Sequence, residues 1–272
     1  MSPLQAIVLA FVQAVTEFLP ISSSGHLILI PHLLGWPDQG LSFDILANTG
    51  TLLAVAVYFR RDLGEIGRAV MADPRIWRSG VPPAARLGWY LALGTLPAVA
   101  VGLAIHRWVE GAGRRPLLVA VNLIAYGLLL LWADRRARQE RTEADLTWKT
   151  ALLVGAAQAL ALVPGTSRSG ITLTALLLLG FTRPAAARFA FLLAVPVGIL
   201  AAGKDLGEHL LGIAPVAFGG WLAPLAVVGV SAAAGYLVIA WLLAWLRRRS
   251  LAPFVLYRVA FGLALLVFAL RG

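Results

Sequence analysis

Two stretches of this chain are apolar enough to enter a bilayer and too short to cross one. Residues 4–19 and 21–35 are split by Pro20, and residues 150–163 and 170–181 by Pro164 and a polar cluster. A spanning helix needs roughly 20 consecutive apolar residues, so each pair fits two half-helices folded back on each other. Backbone broken at membrane depth is tolerated only where protein or a cavity covers it, which is where membrane proteins put binding sites. The remaining sequence names the same solvent. Hydrophobic residues make up 60% and charged residues 13%, against about 25% charged in soluble domains, and the mean hydropathy is +0.82. Full-length apolar runs cover 41–59, 87–105, 116–133, 184–203, 221–246 and 251–270. The expected fold is all-α: a single polytopic membrane domain over 1–272 with six full spans and two re-entrant helical hairpins.

Charge sets the orientation. The formal net charge of +10 would suggest nucleic acid in a soluble chain, but here the basic residues lie between apolar runs. That pattern signals membrane orientation and anionic lipid rather than nucleic acid. Arg60, Arg61, Arg68, Arg75, Arg78 and Arg86 form one basic loop, 134–149 a second, and Arg247, Arg248 and Arg249 a third cluster; all three are expected on the cytoplasmic side. Three spans then follow each hairpin, and an odd number inverts the second half. An inverted-topology repeat is predicted, 1–146 and 147–272, with the first hairpin entering from outside and the second from the cytoplasm. Trp36, Trp108, Trp132 and Trp148 fit interfacial anchoring or packing. Cysteine is absent, so disulfide and thiolate chemistry are excluded. The first apolar run, interrupted by Gln13 and Glu17, is not expected to be a removed signal peptide.

The two hairpins carry matching polar clusters. The first holds Gln13, Glu17, Ser22, Ser23, Ser24, Gly25 and His26; the second holds Gln158, Gly165, Thr166, Ser167, Arg168, Ser169, Gly170 and Thr172. Ionisable groups at membrane depth are rare and by default functional. Gln13 and Glu17 share a helix face, where a carboxylate binds a hard cation or acts as a base, or stays buried in a structural role. Ser22, Ser23 and Ser24 open a half-helix whose free N–H groups favour an anion, although one serine suffices for a cap. His26 follows Ser22 by four and Ser23 by three, a spacing at which imidazole and hydroxyl can cooperate. His32, His106 and His209 read as structural. In the second cluster Arg168 offers a fork matched to phosphate oxygens and the glycines permit close backbone approach, or close helix packing alone. No P-loop, dinucleotide fingerprint or zinc cluster is present. The two clusters are expected to meet in one site for a phosphorylated substrate.

These residues resemble the undecaprenyl-pyrophosphate phosphatases, bacterial membrane enzymes also known as bacitracin-resistance proteins. Gln13 to Glu17 matches their first motif, Phe18 to His26 the Phe-Leu-Pro-x-Ser-Ser-x-Gly-His that follows, and Pro164 to Thr172 their Pro-Gly-x-Ser-Arg-Ser-x-x-Thr. The likeness covers nearly the whole chain, including 93–97 and the Arg258 span. It implies hydrolysis of undecaprenyl pyrophosphate to undecaprenyl phosphate and inorganic phosphate, recycling the lipid carrier for peptidoglycan synthesis and conferring bacitracin resistance. It further implies a divalent cation, Mg²⁺ or Ca²⁺, bound at Glu17, and a site facing the extracytoplasmic side of the bacterial inner membrane. Carried over by position, Glu17 is the essential acid, Ser23 the proposed nucleophile, His26 its acid/base partner and Arg168 the phosphate clamp; attack by Ser23 and attack by a water that His26 activates both stay open. Gln13, Ser22, Ser24, Gly165, Thr166, Ser167, Ser169 and Thr172 are the substrate-binding set. Gln13 departs from members with a second carboxylate, and Asn48 from members with Gln or His, leaving Asn48 a peripheral polar role.

The partners implied are a polyprenyl pyrophosphate and membrane lipid, with a homodimer compatible. The rival class is a transporter or flippase of a polyprenyl phosphate head-group, since paired re-entrant hairpins are also a transporter architecture. Carriage needs Arg168 and the hydroxyls but gains little from reactive groups beside Glu17. A type-2 phosphatidic acid phosphatase is suggested by Ser24-Gly25-His26, but Ser167-Arg168 lacks the histidine and aspartate that family uses with it.

Overall fold

The computed structural model describes residues 1–37, 39–73, 80–110, 115–210 and 222–271, with backbone alone for 41, 42, 106–110, 204–210 and 271. His106, Trp108 and His209 therefore lie outside the described side chains, and Arg75 and Arg78 outside the described residues.

Both hairpins form, and proline breaks each one. Helix α1 (Pro3–Phe18) opens on a reciprocal box: the Ser2 hydroxyl accepts from the Gln5 N–H, and the Gln5 side chain accepts from the Ser2 N–H. Pro3 occupies the first turn, where its missing N–H costs nothing. A residue before proline is pushed out of the helical region, and Leu19, preceding Pro20, is extended at ψ 143°. The chain reverses and re-forms α2 (Ser23–Leu33). The second hairpin repeats this with α7 (Trp148–Ala159), a 3-10 turn at Leu160–Leu162, an extended Val163 before Pro164, and α8 (Arg168–Leu178).

A single register shift of 145 residues maps one hairpin onto the other. It takes the start of α1 to that of α7, and both ends of α2 to those of α8. It also pairs Ser22 with Ser167 and Gly35 with Gly180, four residues at positive φ (72°, 71°, 63° and 87°). The sequence repeat is thus a conformational repeat.

The remaining long helices are α3 (Gly40–Tyr58), α5 (Pro83–Glu110), α6 (Pro116–Arg136), α9 (Arg183–Leu210), α10 (Leu222–Leu246) and α11 (Ala252–Arg271). Among the described residues five stretches are long and apolar enough to cross a membrane: Pro83–Ile105, Pro116–Arg136, Arg183–Gly203, Leu222–Leu246 and Ala252–Leu270. The sixth expected span, 41–59, is α3, a 19-residue helix whose described side chains, Phe43–Tyr58, are largely apolar. The chain is an all-helical polytopic membrane protein. Only 22–50% of each spanning window is buried inside the protein, and Leu96, Leu103, Leu225, Leu237, Leu256 and Leu263 point outward. An apolar surface of that extent requires lipid as its solvent.

The basic loop expected after 59 is instead an amphipathic helix, α4 (Arg60–Ala72). Ile66 is buried, and Ile66 and Val70 meet Gly88 of α5, while Arg60, Arg61 and Arg68 stay exposed. Four-residue spacing of Ile66 and Val70 was the signal, outweighed by the arginines around it. The second basic segment also begins later than 134, because α6 runs to Arg136 and buries Asp134 in its last turn.

The halves interlock. α1 packs on α10 and α7 on α5, while α3 packs on α9 and α6 on α11. The tightest of these crossings is α5 on α7, where a Cβ on Gly155 would lie 2.1 Å from the Gly94 carbonyl oxygen.

Candidate active site

The turns between half-helices meet each other. Glu17, one residue before the end of α1, receives an Arg168 N–H at 2.5 Å on Oε1 and the Ser23 hydroxyl at 2.6 Å on Oε2. Gln13, one helical turn back, donates to Glu17 Oε2 at 3.2 Å and to Asn48 Oδ1 of α3 at 2.7 Å. The halves also bond through Gly165 N–H to Ser24 Oγ at 3.2 Å and Ser169 Oγ to the Leu19 carbonyl at 3.1 Å. Asn48 is therefore in the polar centre, a correction to its expected peripheral role: a residue on a span counts as peripheral only until packing shows which way it faces.

Ser22 and Ser167 immediately precede α2 and α8 with φ near +70°, a sparsely populated conformation for residues other than glycine that clusters at functional turns. The Ser167 hydroxyl caps its helix by accepting from Gly170 N–H at 3.2 Å. Ser22 makes no such cap; its hydroxyl lies 3.1 Å from that of Ser24. The strained pair turns Ser23 and Arg168, which the 145-residue shift makes counterparts, toward the same carboxylate.

Arg258 of α11 holds both turns from behind. It is wholly buried and donates to the carbonyls of Leu123 at 2.9 Å, Gly165 and Thr166 at 2.7 Å each, and Pro20 at 3.4 Å. A broken helix leaves carbonyls without intrahelical partners, and one guanidinium collects them from both breaks. Gly170 makes room for it, since a Cβ there would lie 2.8 Å from the Arg258 guanidinium. Its sequence signal was an arginine inside an apolar span.

His26 does not pair with Ser23. Its Nδ1 lies 2.8 Å from the Ser22 carbonyl oxygen and its Nε2 2.8 Å from the Tyr257 hydroxyl, and its ring stacks on Phe261 at 4.1 Å. Helical spacing allowed the expected pairing, but the imidazole turned to the aromatic face of α11. The base within reach of Ser23 is Glu17. Tyr257 and Phe261, four apart on α11, were not singled out in the sequence.

A cavity of about 440 Å³ opens over this centre. Gln13, Glu17, Ser22, Ser23, Ser24, Ser167 and Arg168 line it, together with Asn48, Asp44 and Gln158. His26, Gly165, Thr166, Ser169 and Thr172 are not among its lining residues. Thr172 is fully buried and donates back to the Arg168 carbonyl at 2.8 Å, and the buried Thr166 hydroxyl has no partner among the described residues. These five shape the turns rather than the cavity wall.

The donor set suits a hard divalent cation. Gln13 Oε1 is buried without a hydrogen-bond partner among the described residues, because its amide nitrogen serves both Glu17 and Asn48. It stands beside the Glu17 carboxylate, and Asp44 lines the same cavity. Mg²⁺ takes one or two carboxylates and completes its shell with phosphate and water, whereas Ca²⁺ accepts amide oxygens as well. Among the described residues no group of three or more His, Cys, Asp or Glu gathers anywhere, so protein carboxylates alone would not complete the shell of a cation here.

Comparison with known proteins agrees over the whole chain. The family model described as "Bacitracin resistance protein BacA" matches residues 6–264. The undecaprenyl-diphosphatase of Magnetococcus marinus is 50% identical, with 98% of each chain covered. Undecaprenyl-diphosphatase 2 of Stutzerimonas stutzeri is 48% identical, again over 98% of each chain. The undecaprenyl-diphosphatase of Chromohalobacter salexigens is 48% identical over 97% of this chain and 98% of its own. With both signature segments converging on one cavity and relatives matching end to end, this chain belongs to the bacitracin resistance protein BacA family.

Proposed function

We propose that this protein is a membrane-embedded phosphatase that hydrolyses undecaprenyl pyrophosphate to undecaprenyl phosphate and inorganic phosphate, recycling the lipid carrier for peptidoglycan synthesis and conferring bacitracin resistance. One observation carries the reading: the chain Ser23–Glu17–Arg168, in which a hydroxyl and a guanidinium from opposite halves converge on one carboxylate at a cavity wall. Carriage of a head-group would use the guanidinium but has no use for a hydroxyl poised on a base.

Without substrate, Arg168 neutralises Glu17. An entering diphosphate competes for the guanidinium, whose fork fits phosphate oxygens, which frees Glu17 Oε1 while Oε2 keeps the Ser23 hydroxyl. Ser23 Oγ then attacks the terminal phosphorus. The Oγ–P bond forms as the bridging P–O bond breaks, its electron pair leaving with the lipid monophosphate, and the Ser23 proton passes to Glu17. The leaving group is already an anion of low basicity, so no acid is needed behind it. Water then attacks the phosphoserine; the Oγ–P bond breaks toward Oγ, which recovers its proton from Glu17, and the water's protons leave with inorganic phosphate. Arg168 and the N–H groups opening α2 and α8 bear the charge on the transferring group, the main work in phosphoryl transfer. Glu17 and Gln13 Oε1, with Asp44 in the same cavity, would hold Mg²⁺ or Ca²⁺, which supplies neutralisation of the diphosphate oxygens.

In this reading the protein resides in the bacterial cytoplasmic membrane with the cavity open to the extracytoplasmic side, a reading supported by the basic segments 60–68, 135–141 and 247–249, which the positive-inside bias assigns to the cytoplasmic side. The prenyl tail stays in lipid between the outward-facing helices. The test is phosphate release from a polyprenyl pyrophosphate in detergent, where transport is not a variable. Release by the wild type and its loss in Ser23→Ala are expected; substantial turnover by Ser23→Ala would remove the phosphoserine step.

A further inference from the structure

The 145-residue shift pairs Gln13 with Gln158, and the pair has separate fates. Gln13 is occupied: its nitrogen donates to Glu17 and to Asn48. Gln158 sits at the same place on α7, yet the residue one turn on is Leu162 where the first half has Glu17. It is 2% exposed, and both its Nε2 and Oε1 are buried with no hydrogen-bond partner among the described residues. The side chain lines the cavity alongside Arg168, Ser167 and Pro164.

A buried amide with neither atom bonded is rare, because each unmade bond costs its desolvation. Gln158 would be more stably replaced by leucine or methionine if packing were its only task. Its position gives another: a neutral donor on the cavity wall shared with the Arg168 guanidinium. We infer that Gln158 is a substrate-binding residue whose Nε2 donates to a phosphate oxygen of the bound head-group. The chemical class recognised is a diphosphate oxyanion. Gln13 and Gln158 thereby divide the labour of one repeated residue, the first setting the carboxylate and the second reading the substrate. Leu162 follows from the same logic. A second carboxylate there would repel the anion and capture the amide.

The inference rests on the phosphatase reading, and its test separates the two. Gln158→Met, close in size and apolar, and Gln158→Glu, equal in shape but anionic, are compared with wild type in detergent. The readouts are Michaelis kinetics on a polyprenyl pyrophosphate and the melting-temperature shift produced by inorganic pyrophosphate. Hydrogen bonds to charged groups support an expected loss in kcat/KM of about 10- to 100-fold for Gln158→Met. Most of it should fall on KM, with a smaller pyrophosphate shift and a ligand-free melting temperature at or above wild type. Gln158→Glu should raise KM further by repulsion. Wild-type KM and pyrophosphate shift in the methionine variant would overturn the assignment, as would an unchanged KM in the glutamate variant if the methionine variant failed to fold. If wild-type protein released no phosphate while its pyrophosphate shift still required Gln158, the phosphatase reading would fall and the binding role would stand.

Discussion

At the scale of single residues, the site is organised by competition for one carboxylate. Glu17 is shared by a guanidinium, a hydroxyl and an amide, and the guanidinium is the partner that a diphosphate can take away. Arg168→Lys separates charge from geometry: an ammonium keeps the positive charge but loses the planar fork. A fall in kcat/KM of about 100-fold is expected, with the protein still folded and Ser23 still within reach of Glu17. Near-wild-type kinetics would mean that Arg168 acts as a point charge and would weaken the release of Glu17 by substrate. The cation has its own test. Chelation should abolish phosphate release, and Mg²⁺ or Ca²⁺ should restore it in wild type but not in Glu17→Gln. Most of these residues were legible in the sequence because each is costly at membrane depth. What the sequence did not reveal is direction. Helical spacing allowed His26 to reach Ser23, and only packing turned the imidazole toward Tyr257 and Phe261.

The scale of helices explains why such a strained centre persists. Each half-helix is too short to be stable alone, so each is held by a neighbour from the other half, as two contacts show. One is the Arg258 guanidinium under both turns. The other is the α5–α7 crossing, where Gly155 and Gly94 bring backbones together without side chains. Gly155→Ala places a methyl against backbone, which cannot rotate aside, so α7 must move. Overpacking of this kind costs about 1–3 kcal/mol, and a lowered melting temperature in detergent is expected, together with reduced activity because α7 carries Gln158 and leads into the Arg168 turn. Unchanged melting would show that the crossing is looser than the contact implies. The half-helices could be read from Pro20 and Pro164, since proline acts on its own neighbours. α4 could not, because a helix lying at the surface buries one narrow face, here Ile66 and Val70, and its arginines make the same stretch read as a loop.

For the whole molecule the question is which side is which, and the ion pairs bear on it. Asp134, with its side chain 2% exposed, receives Arg183 at 2.5 Å and the Leu251 N–H at 3.1 Å, and Arg188 pairs with both Asp62 and Glu143. These contacts tie α4, α6, α9 and the start of α11 together at the end that carries Arg135, Arg136 and Arg247 to Arg249. Asp134→Ala should cost about 3–5 kcal/mol by leaving Arg183 without its carboxylate. Its effect should fall on stability rather than on KM, since Asp134 is not a cavity residue. If this end is cytoplasmic, Pro37, exposed in the loop between α2 and α3, lies on the opposite face, the one the cavity is proposed to open toward. The chain contains no cysteine, so single-cysteine variants can be made without removing anything. In spheroplasts Pro37→Cys should react with a membrane-impermeant maleimide, and Arg138→Cys only after permeabilisation. The reversed pattern would put the second hairpin rather than the first on the outside. A phosphatase in that orientation would draw its substrate from the cytoplasmic leaflet, and carrier recycling would then have to begin after the lipid had crossed.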